Sequence, residues 1–371
     1  MRPNIILVLL DGARWDRLSS SPRFEQLRQD GTLLNNVTTA APYTIASMNA
    51  MFSGLYGKDN GVDAYYKMFK LKESAPFLPE ILKRNGYFTA CDLLNNAIVS
   101  ARGFDIHQSH NELEDDLTKK HPQFLQHVFQ QADGKPAFVF LHFSRIHTAT
   151  VTGVIKKYEW DNREFYAKKD ENLQAYDNVF DETVRYAQLI REYVQGLKEG
   201  AETMLVFFSD HGTGVGERYG ERNYGVFTYE ETIRAFYLFL GPKILRNQVT
   251  DKLFATIDIL PTIMDLCGLS DGPRFEGRSL YRYLVGEQPD LTERDYAYSE
   301  TGGLQGPFPS PNEPNVFCVK TPRYKLMYFK TLNEWKLFDL RADPAESQDL
   351  YGTRLSIESD LKGRLLDWID R

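Results

Sequence analysis

Four short apolar runs, each stopped by a turn or an acidic residue, constrain this chain more than any other feature. Asn4-Ile-Ile-Leu-Val-Leu-Leu10 is closed by Asp11-Gly12, and Ala137-Phe-Val-Phe-Leu-His-Phe143 is of the same kind. Met204-Leu-Val-Phe-Phe208 is closed by Ser209-Asp210-His211-Gly212, and Ala235-Phe-Tyr-Leu-Phe-Leu240 by Gly241-Pro242. None alternates polar with apolar, so each reads as a strand covered on both faces, as in a parallel sheet. Helical patterns lie between them. Pro79 to Asn85 ends at Gly86, and from Asp177 to Leu197 the residues Val179, Val184, Leu189, Ile190 and Val194 recur near helical spacing. Strands alternating with helices predict an α/β domain over residues 1–290, with a mainly parallel central sheet flanked by helices. Beyond it the pattern changes. Gly302 to Pro314 is rich in Pro and Gly. The short runs Val316–Lys320, Lys325–Phe329 and Trp335–Asp339 predict a small antiparallel sheet, followed by a helix over about 357–369. Residues 291–371 are therefore expected to form a small C-terminal α+β subdomain. Lys156 to Asn172, crowded with charge and aromatics, reads as an inserted loop or lid.

Composition narrows the function classes. With 42% hydrophobic residues among 371, the chain can build a sizeable core, which excludes disorder as a description of the whole. No apolar run approaches the ~20 residues of a membrane helix. The first run is too short for a signal h-region and stops at an acidic residue. Lys and Arg number 44 against 51 Asp and Glu, a formal charge of −7, which argues against broad nucleic-acid binding. Cys91, Cys267 and Cys318 are scattered and odd in number, which excludes a disulfide scaffold and fits a reducing compartment. A soluble cytoplasmic protein is expected.

Chemistry is expected where strands end, since open α/β sheets bind ligands beyond their carboxyl edge. Asp11 follows the first run, and Asp210-His211 follows the third. One carboxylate after a buried strand is equally a helix N-cap. Two such ends, one with a His beside it, weigh toward a metal site with oxygen and nitrogen donors, which suits zinc or manganese better than calcium. The segment from Ala41 to Gly54 reads as a loop entering a short helix, with Thr44 at its N-cap. Thr44 either caps the helix through its side-chain oxygen or presents a hydroxyl, as a nucleophile, where anions bind. His142 sits inside a strand pattern and reads as a core histidine. His107, His110, His121 and His127 lack ligand spacing and read as solvated. Asp177 and Asp181 share one helix face, expected to be solvent-facing. Arg14 and Asp16 read either as a pair near the site or as a surface ion pair.

Together these segments resemble the sulfatase branch of the alkaline phosphatase superfamily, almost end to end and in order. Pro3 to Leu18 is similar to that family's opening strand, metal-binding Asp and following Arg-x-Asp-x-Leu. Phe24 to Gly31 and Thr38 to Thr44 resemble the approach to its nucleophile, and Ser53 to Val62 the segment after it. Leu78 to Tyr87, Phe208 to Gly212, Tyr229 to Arg234, Leu260 to Asp265 and Leu337 to Glu346 follow in sequence. The resemblance implies an alkaline-phosphatase-like fold. It places Asp11, Asp210 and His211 on metal ligands, and Thr44 on the nucleophile that also completes the metal shell. His147 falls on a substrate-side or second-metal His, fit to protonate a leaving group. Asn223, Arg14 and, loosely, Lys320 or Lys325 fall on the substrate side.

Departures from the family refine the expectation. Sulfatases oxidise a Cys or Ser to formylglycine within Cys/Ser-x-Pro-x-Arg; here Thr44, Ala46 and Met48 stand at those positions, and a β-methyl-bearing Thr cannot give that aldehyde. Gly12 replaces the second Asp of the sulfatase pair. Asn223 stands where sulfatases carry Lys and two-metal members His. One divalent metal is therefore expected, zinc or manganese ahead of calcium or magnesium, with the second site incomplete. The leading expectation is a hydrolase or transferase of phosphate-type esters through a covalent Thr44 intermediate, acting on a small-molecule or glycan- or lipid-linked anionic ester. The alternatives are a sulfatase-like sulfuric ester hydrolase and a non-catalytic metal- or ligand-binding homologue. Gly302 to Pro314 and Lys156 to Asn172 are the expected specificity segments.

Overall fold

The computed structural model describes residues 2–153, 155–157, 163–269, 275–288, 293–354 and 356–371. A nine-stranded sheet is built from β1 (Asn4–Leu10), β2 (Gly31–Thr38), β3 (Phe88–Leu93), β4 (Ile106–Ser109), β5 (Ala137–Phe143), β6 (Thr203–Phe208), β7 (Arg234–Leu240), β8 (Gln248–Thr250) and β9 (Phe254–Ala255). Its order is β4-β3-β5-β1-β6-β7-β2-β8, with β9 also paired to β2. The four apolar runs became β1, β5, β6 and β7. Only β7 runs against its neighbours, β6 and β2. It is buried on both faces like the parallel strands, so its sequence pattern is the same as theirs.

Successive side chains of β1 point to opposite faces, and the two faces have separate cores. Ile5, Leu7 and Leu9 pack with Met48, Met51 and Phe52 and with Leu78, Leu82, Ile259 and Ile263. Ile6, Val8 and Leu10 pack with Phe24, Phe124, Leu125 and Val128 and with Phe180, Val184 and Ile190. Each such side chain contributes about 1.5–3 kcal/mol on burial, so both layers of helices are held firmly against the sheet. β1 lies between β5 and β6 and is parallel to both. The three strands therefore leave the sheet along one edge, and Asp11, Ser144 and Ser209–His211 emerge side by side there.

The long helix begins earlier than its periodicity indicated, spanning Lys169–Gly196. Residues 158–162 of the expected lid lie outside the described residues. Arg163–Ala167 is helical and buries Phe165, and Asn172 is buried within the long helix, so this part is packed structure rather than an open loop.

A second sheet runs β10-β11-β12-β13: β10 (Ala297–Thr301), β11 (Val316–Lys320), β12 (Tyr324–Phe329) and β13 (Glu334–Asp339), all antiparallel. β10 carries Ser299, Glu300 and Thr301 in buried positions, which hid it from an apolar-run reading. One face packs on Leu361, Leu365 and Trp368 of the helix Ser356–Asp370. The other packs on Val226, Phe227, Tyr229 and Ile233. Buried charges join this sheet to the larger one. Lys320 bonds Glu230 at 2.7 Å and Asn36 at 2.9 Å; Lys325 bonds Thr228 O at 2.8 Å and pairs with Glu346 at 2.5 Å and Glu230 at 3.3 Å. The expected boundary at 290/291 lies outside the described residues.

Candidate active site

Asp11, Thr44, Asp210 and His211 converge at the carboxyl edge of β1 and β6. Thr44 is the first residue of the helix Thr44–Ser53, and Tyr43 is the N-cap, without a side-chain cap bond. The N-cap expectation for Thr44 is thus off by one position, and the difference matters. The Thr44 hydroxyl does not cap its helix; it donates toward Asp11 Oδ1 at 3.4 Å and lies 3.2 Å from His211 Nε2. Ser47 braces the helix instead, its hydroxyl donating to Asp210 O at 3.0 Å and accepting from Thr39 at 2.8 Å.

The chemistry of the donor set fits a cation. His211 Nδ1 lies 2.7 Å from Gly212 O, and a carbonyl can only accept, so the proton sits on Nδ1 and Nε2 carries a lone pair. That lone pair lies 3.5 Å from Asp11 Oδ1 and 3.3 Å from Asp210 Oδ2. Asp210 Oδ2 is buried and has no hydrogen-bond partner. Three acceptors facing one another in a buried place are stable around a positive ion. One ligand atom from each of Asp11, Asp210 and His211 lies within 4.8 Å of the others.

Residues behind the first set orient it. His142 Nε2 lies 2.9 Å from Asp11 Oδ2, and Ser144 Oγ donates to the same oxygen at 2.8 Å. His142, read from sequence as a core histidine, is buried and satisfied, but its partner is the candidate metal ligand. The signal was present, since His142 is the polar interruption of an apolar strand adjacent to β1. Burial works against ionising Asp11, but His142, with His147 and His211, holds its carboxyl well below the usual range. Burial pushes Asp210 up to about 6, with His211 opposing.

His147 lies on the substrate side as expected. Asn223 Nδ2 lies 3.3 Å from its Nδ1, and the Tyr224 hydroxyl 3.2 Å from its Nε2. Burial lowers its pKa, with Asp11 opposing, so the ring is neutral near pH 7. Asn223 occupies a left-handed backbone position, φ 91°, and its buried Oδ1 has no partner. The Tyr224 ring stands 4.3 Å from His211, and Tyr65 stacks on Tyr43 at 4.4 Å. Burial, with the charges of Asp11, Glu221 and Asp210, raises the Tyr65 pKa, placing that hydroxyl in the field of the acidic cluster. These tyrosines were not singled out from sequence.

Other expected residues are engaged elsewhere. Arg14 is buried and bonds Asp16 at 2.9 and 2.8 Å, Glu217 at 2.5 Å and Thr213 O at 3.0 Å, so its guanidinium is spent on structure. Lys320 is held by Glu230 and Asn36, and burial pushes it down to about 8. Asp177 and Asp181 pair with Arg17 and Arg23. His107 is part-buried against Val99 O and His127 is exposed. His110 and His121, expected to be solvated, are instead buried beside Asp92. Gly12 has φ +74°, and a Cβ there would stand 2.7 Å from Thr213 Oγ1, so the pocket is built around the missing side chain.

Residues 3–269 match the family model described as Sulfatase, and residues 221–370 match N-sulphoglucosamine sulphohydrolase, C-terminal. A Delta 4,5-hexuronate-2-O-sulfatase of Bacteroides thetaiotaomicron is 27% identical over 49% of this chain and 38% of its own length. The chain therefore spans well under half of that relative. A solved 2-O GAG sulfatase superposes with a TM-score of 0.84 at 18% identity, covering 100% of this chain and 92% of the other. A phosphonate monoester hydrolase of Agrobacterium radiobacter does so with a TM-score of 0.78 at 16% identity, covering 99% and 95%. These superpositions establish the fold. The family matches weigh toward the sulfuric-ester alternative more than toward the phosphate-ester expectation.

Proposed function

We propose that this chain, which belongs to the sulfatase family, is a metal-dependent hydrolase of anionic esters, with sulfate esters as its first substrate class. The observation that carries the reading is the Thr44 hydroxyl, 3.2 Å from His211 Nε2 and 3.4 Å from Asp11 Oδ1 at a helix N-terminus. Asp11, Asp210 and His211 would hold a divalent cation, which would offset the charge of the ester and lower the pKa of a neighbouring hydroxyl. Thr44 Oγ1 forms the bond to the central sulfur, and the ester oxygen leaves on the opposite side. Thr44 gives up its proton to solvent, and the departing oxygen takes one from solvent. Water then attacks the sulfur of the Thr44 sulfate ester, releasing sulfate and regenerating the hydroxyl. His147 has its Nδ1 facing the Asn223 amide and its Nε2 facing the Tyr224 hydroxyl; with its pKa lowered by burial, it accepts the proton of that water at Nδ1 as the Asn223 amide gives way. Its low pKa favours the base role over the leaving-group acid expected from sequence. The helix N-terminus favours the equatorial oxygens.

A second reading, phosphate or phosphonate esters, is favoured by the Thr side chain, which cannot become formylglycine. The test is a panel of 4-nitrophenyl sulfate, phosphate, phenylphosphonate and bis(4-nitrophenyl) phosphate, assayed with zinc, manganese, calcium and magnesium. Highest kcat/KM on the sulfate supports the first reading, and highest on a phosphorus ester the second. Thr44→Val should lower kcat by at least about a hundredfold, the scale on which a positioned reacting group acts, while Thr44→Ser retains turnover. Unchanged turnover in Thr44→Val overturns the nucleophile; no turnover on any ester favours a non-catalytic homologue.

A further inference from the structure

Behind Asp11 lies a second cluster that the ester chemistry does not use. We propose that Asp92, His110 and His121, with Glu112 beside them, form a separate divalent-cation site of the zinc class. The residues come from three elements: Asp92 from β3, His110 just after β4, and His121 from the helix Leu117–Ala132. All three are buried, and one nitrogen from each His and one oxygen of Asp92 lie within 4.8 Å of one another. One nitrogen of each imidazole is left unsatisfied. His110 Nδ1 lies 3.0 Å from Asp92 Oδ1, leaving Nε2 buried without a partner. The Tyr186 hydroxyl bonds His121 Nδ1, leaving that Nε2 also buried without a partner.

His110 Nδ1 and His121 Nε2 both flank the Asp92 carboxylate and are the nitrogens placed to share an ion with it, while His110 Nε2 points to Glu112. His121 Nε2 is 4.0 Å from Asp92 Oδ2, and His110 Nε2 is 3.9 Å from Glu112 Oε2. Two ligand atoms each bound at about 2.1 Å to one zinc ion stand at most about 4.2 Å apart. Outer partners are in place: Gln108 Nε2 donates to Asp92 Oδ2 at 3.2 Å, and Tyr186 fixes the His121 ring. A donor set of two imidazoles and carboxylate suits zinc rather than calcium or magnesium. A surface cleft lined by Glu112, Asp115, Glu182 and Tyr186 adjoins the cluster and offers an entry.

The cluster also reaches the candidate active site. Both Glu112 oxygens accept from Ser144 N, at 3.0 and 2.8 Å, and Ser144 Oγ donates to Asp11 Oδ2. A cation at Asp92, His110 and His121 draws on Glu112 and so fixes Ser144 and Asp11.

The test is metal counting on the full chain. Protein stripped with a chelator is reloaded with zinc, freed of unbound metal and analysed by mass spectrometry for zinc per chain. Wild type should hold two equivalents. Asp210→Asn should hold one, and adding Asp92→Asn or His121→Gln should remove it. Cobalt in Asp210→Asn, a variant that leaves the cluster intact, should give visible ligand-field absorption; its absence overturns the proposal even if the cluster variants fail to fold. A single wild-type equivalent lost with Asp210→Asn overturns the second site and leaves the active-site reading standing. A single equivalent lost only with Asp92→Asn does the reverse.

Discussion

Gly12 offers a sharp test of how the pocket is built. Its φ of +74° lies in the left-handed region, where an L side chain costs about 1–2 kcal/mol. A Cβ there would also stand 2.7 Å from Thr213 Oγ1. That hydroxyl donates to Gly12 O at 2.8 Å and would have to rotate away, losing a buried hydrogen bond worth about 1 kcal/mol. Gly12→Ala should therefore destabilise by about 2–3 kcal/mol, the sum of these effects. Thr213→Ala should cost about 1 kcal/mol. In the double variant the clash is gone and the same hydrogen bond is lost only once. Its cost should fall short of the sum by about 1 kcal/mol, a coupling measurable in a double-mutant cycle. Urea unfolding of the four proteins, followed by fluorescence and circular dichroism, measures this, with equal m-values as the control. Strict additivity, or a Gly12→Ala change within about 0.5 kcal/mol of wild type, refutes the reasoning. Gly12→Asp meets the same two penalties, so a carboxylate cannot simply be restored at this position.

Three further outcomes follow from the geometry. Ser144→Ala removes a donor from Asp11 Oδ2 and should weaken zinc binding at Asp11, Asp210 and His211 by about 10–100-fold, read by competition with a chromophoric chelator; unchanged affinity contradicts it. Lys325→Met strands Glu346 without its close buried cation and leaves Glu230 with Lys320 alone; it should cost about 3–5 kcal/mol, seen as a large fall in Tm. Burial, with Asp63 reinforcing, pushes Glu300 from its ordinary 4.5 up to about 8. The folded chain then binds the extra proton between those values, so this group's contribution to stability is present at low pH and is lost as pH rises toward 8. Glu300→Gln should gain Tm over wild type as pH rises from 5 to 8.5, and a constant difference across that range would count against the assignment.

What was legible in the sequence is what local pattern encodes. β1, β5 and β6 showed as uninterrupted apolar runs, and Asp11, Asp210 and His211 showed because they end such runs. Thr44 was legible as a hydroxyl at a helix start, though the cap itself fell one residue earlier. Ser144 and His142 were not recognised as partners of Asp11, because only the parallel pairing of β5 with β1 brings them together. The Arg14–Asp16 pair was legible, but its burial and its second partner Glu217, far away in sequence, were not. His110 and His121 lie on different elements from Asp92, so no ligand spacing connects them. β10 stayed hidden because its buried residues are polar, and Glu300 and Thr301 find their partners, Lys58 N and Gly225 O, only on folding.

The buried lysines of the smaller sheet bear on how the chain is made. Glu230 lies 90 residues before Lys320 and 95 before Lys325. During synthesis Glu230 emerges with only Arg234 of its counter-charges, and both lysines that pair with it have yet to be translated. Glu230 therefore gains its lysine partners only when β11 and β12 close over it. The last strands thus couple the end of the chain to its middle, because closing them brings both lysines to Glu230.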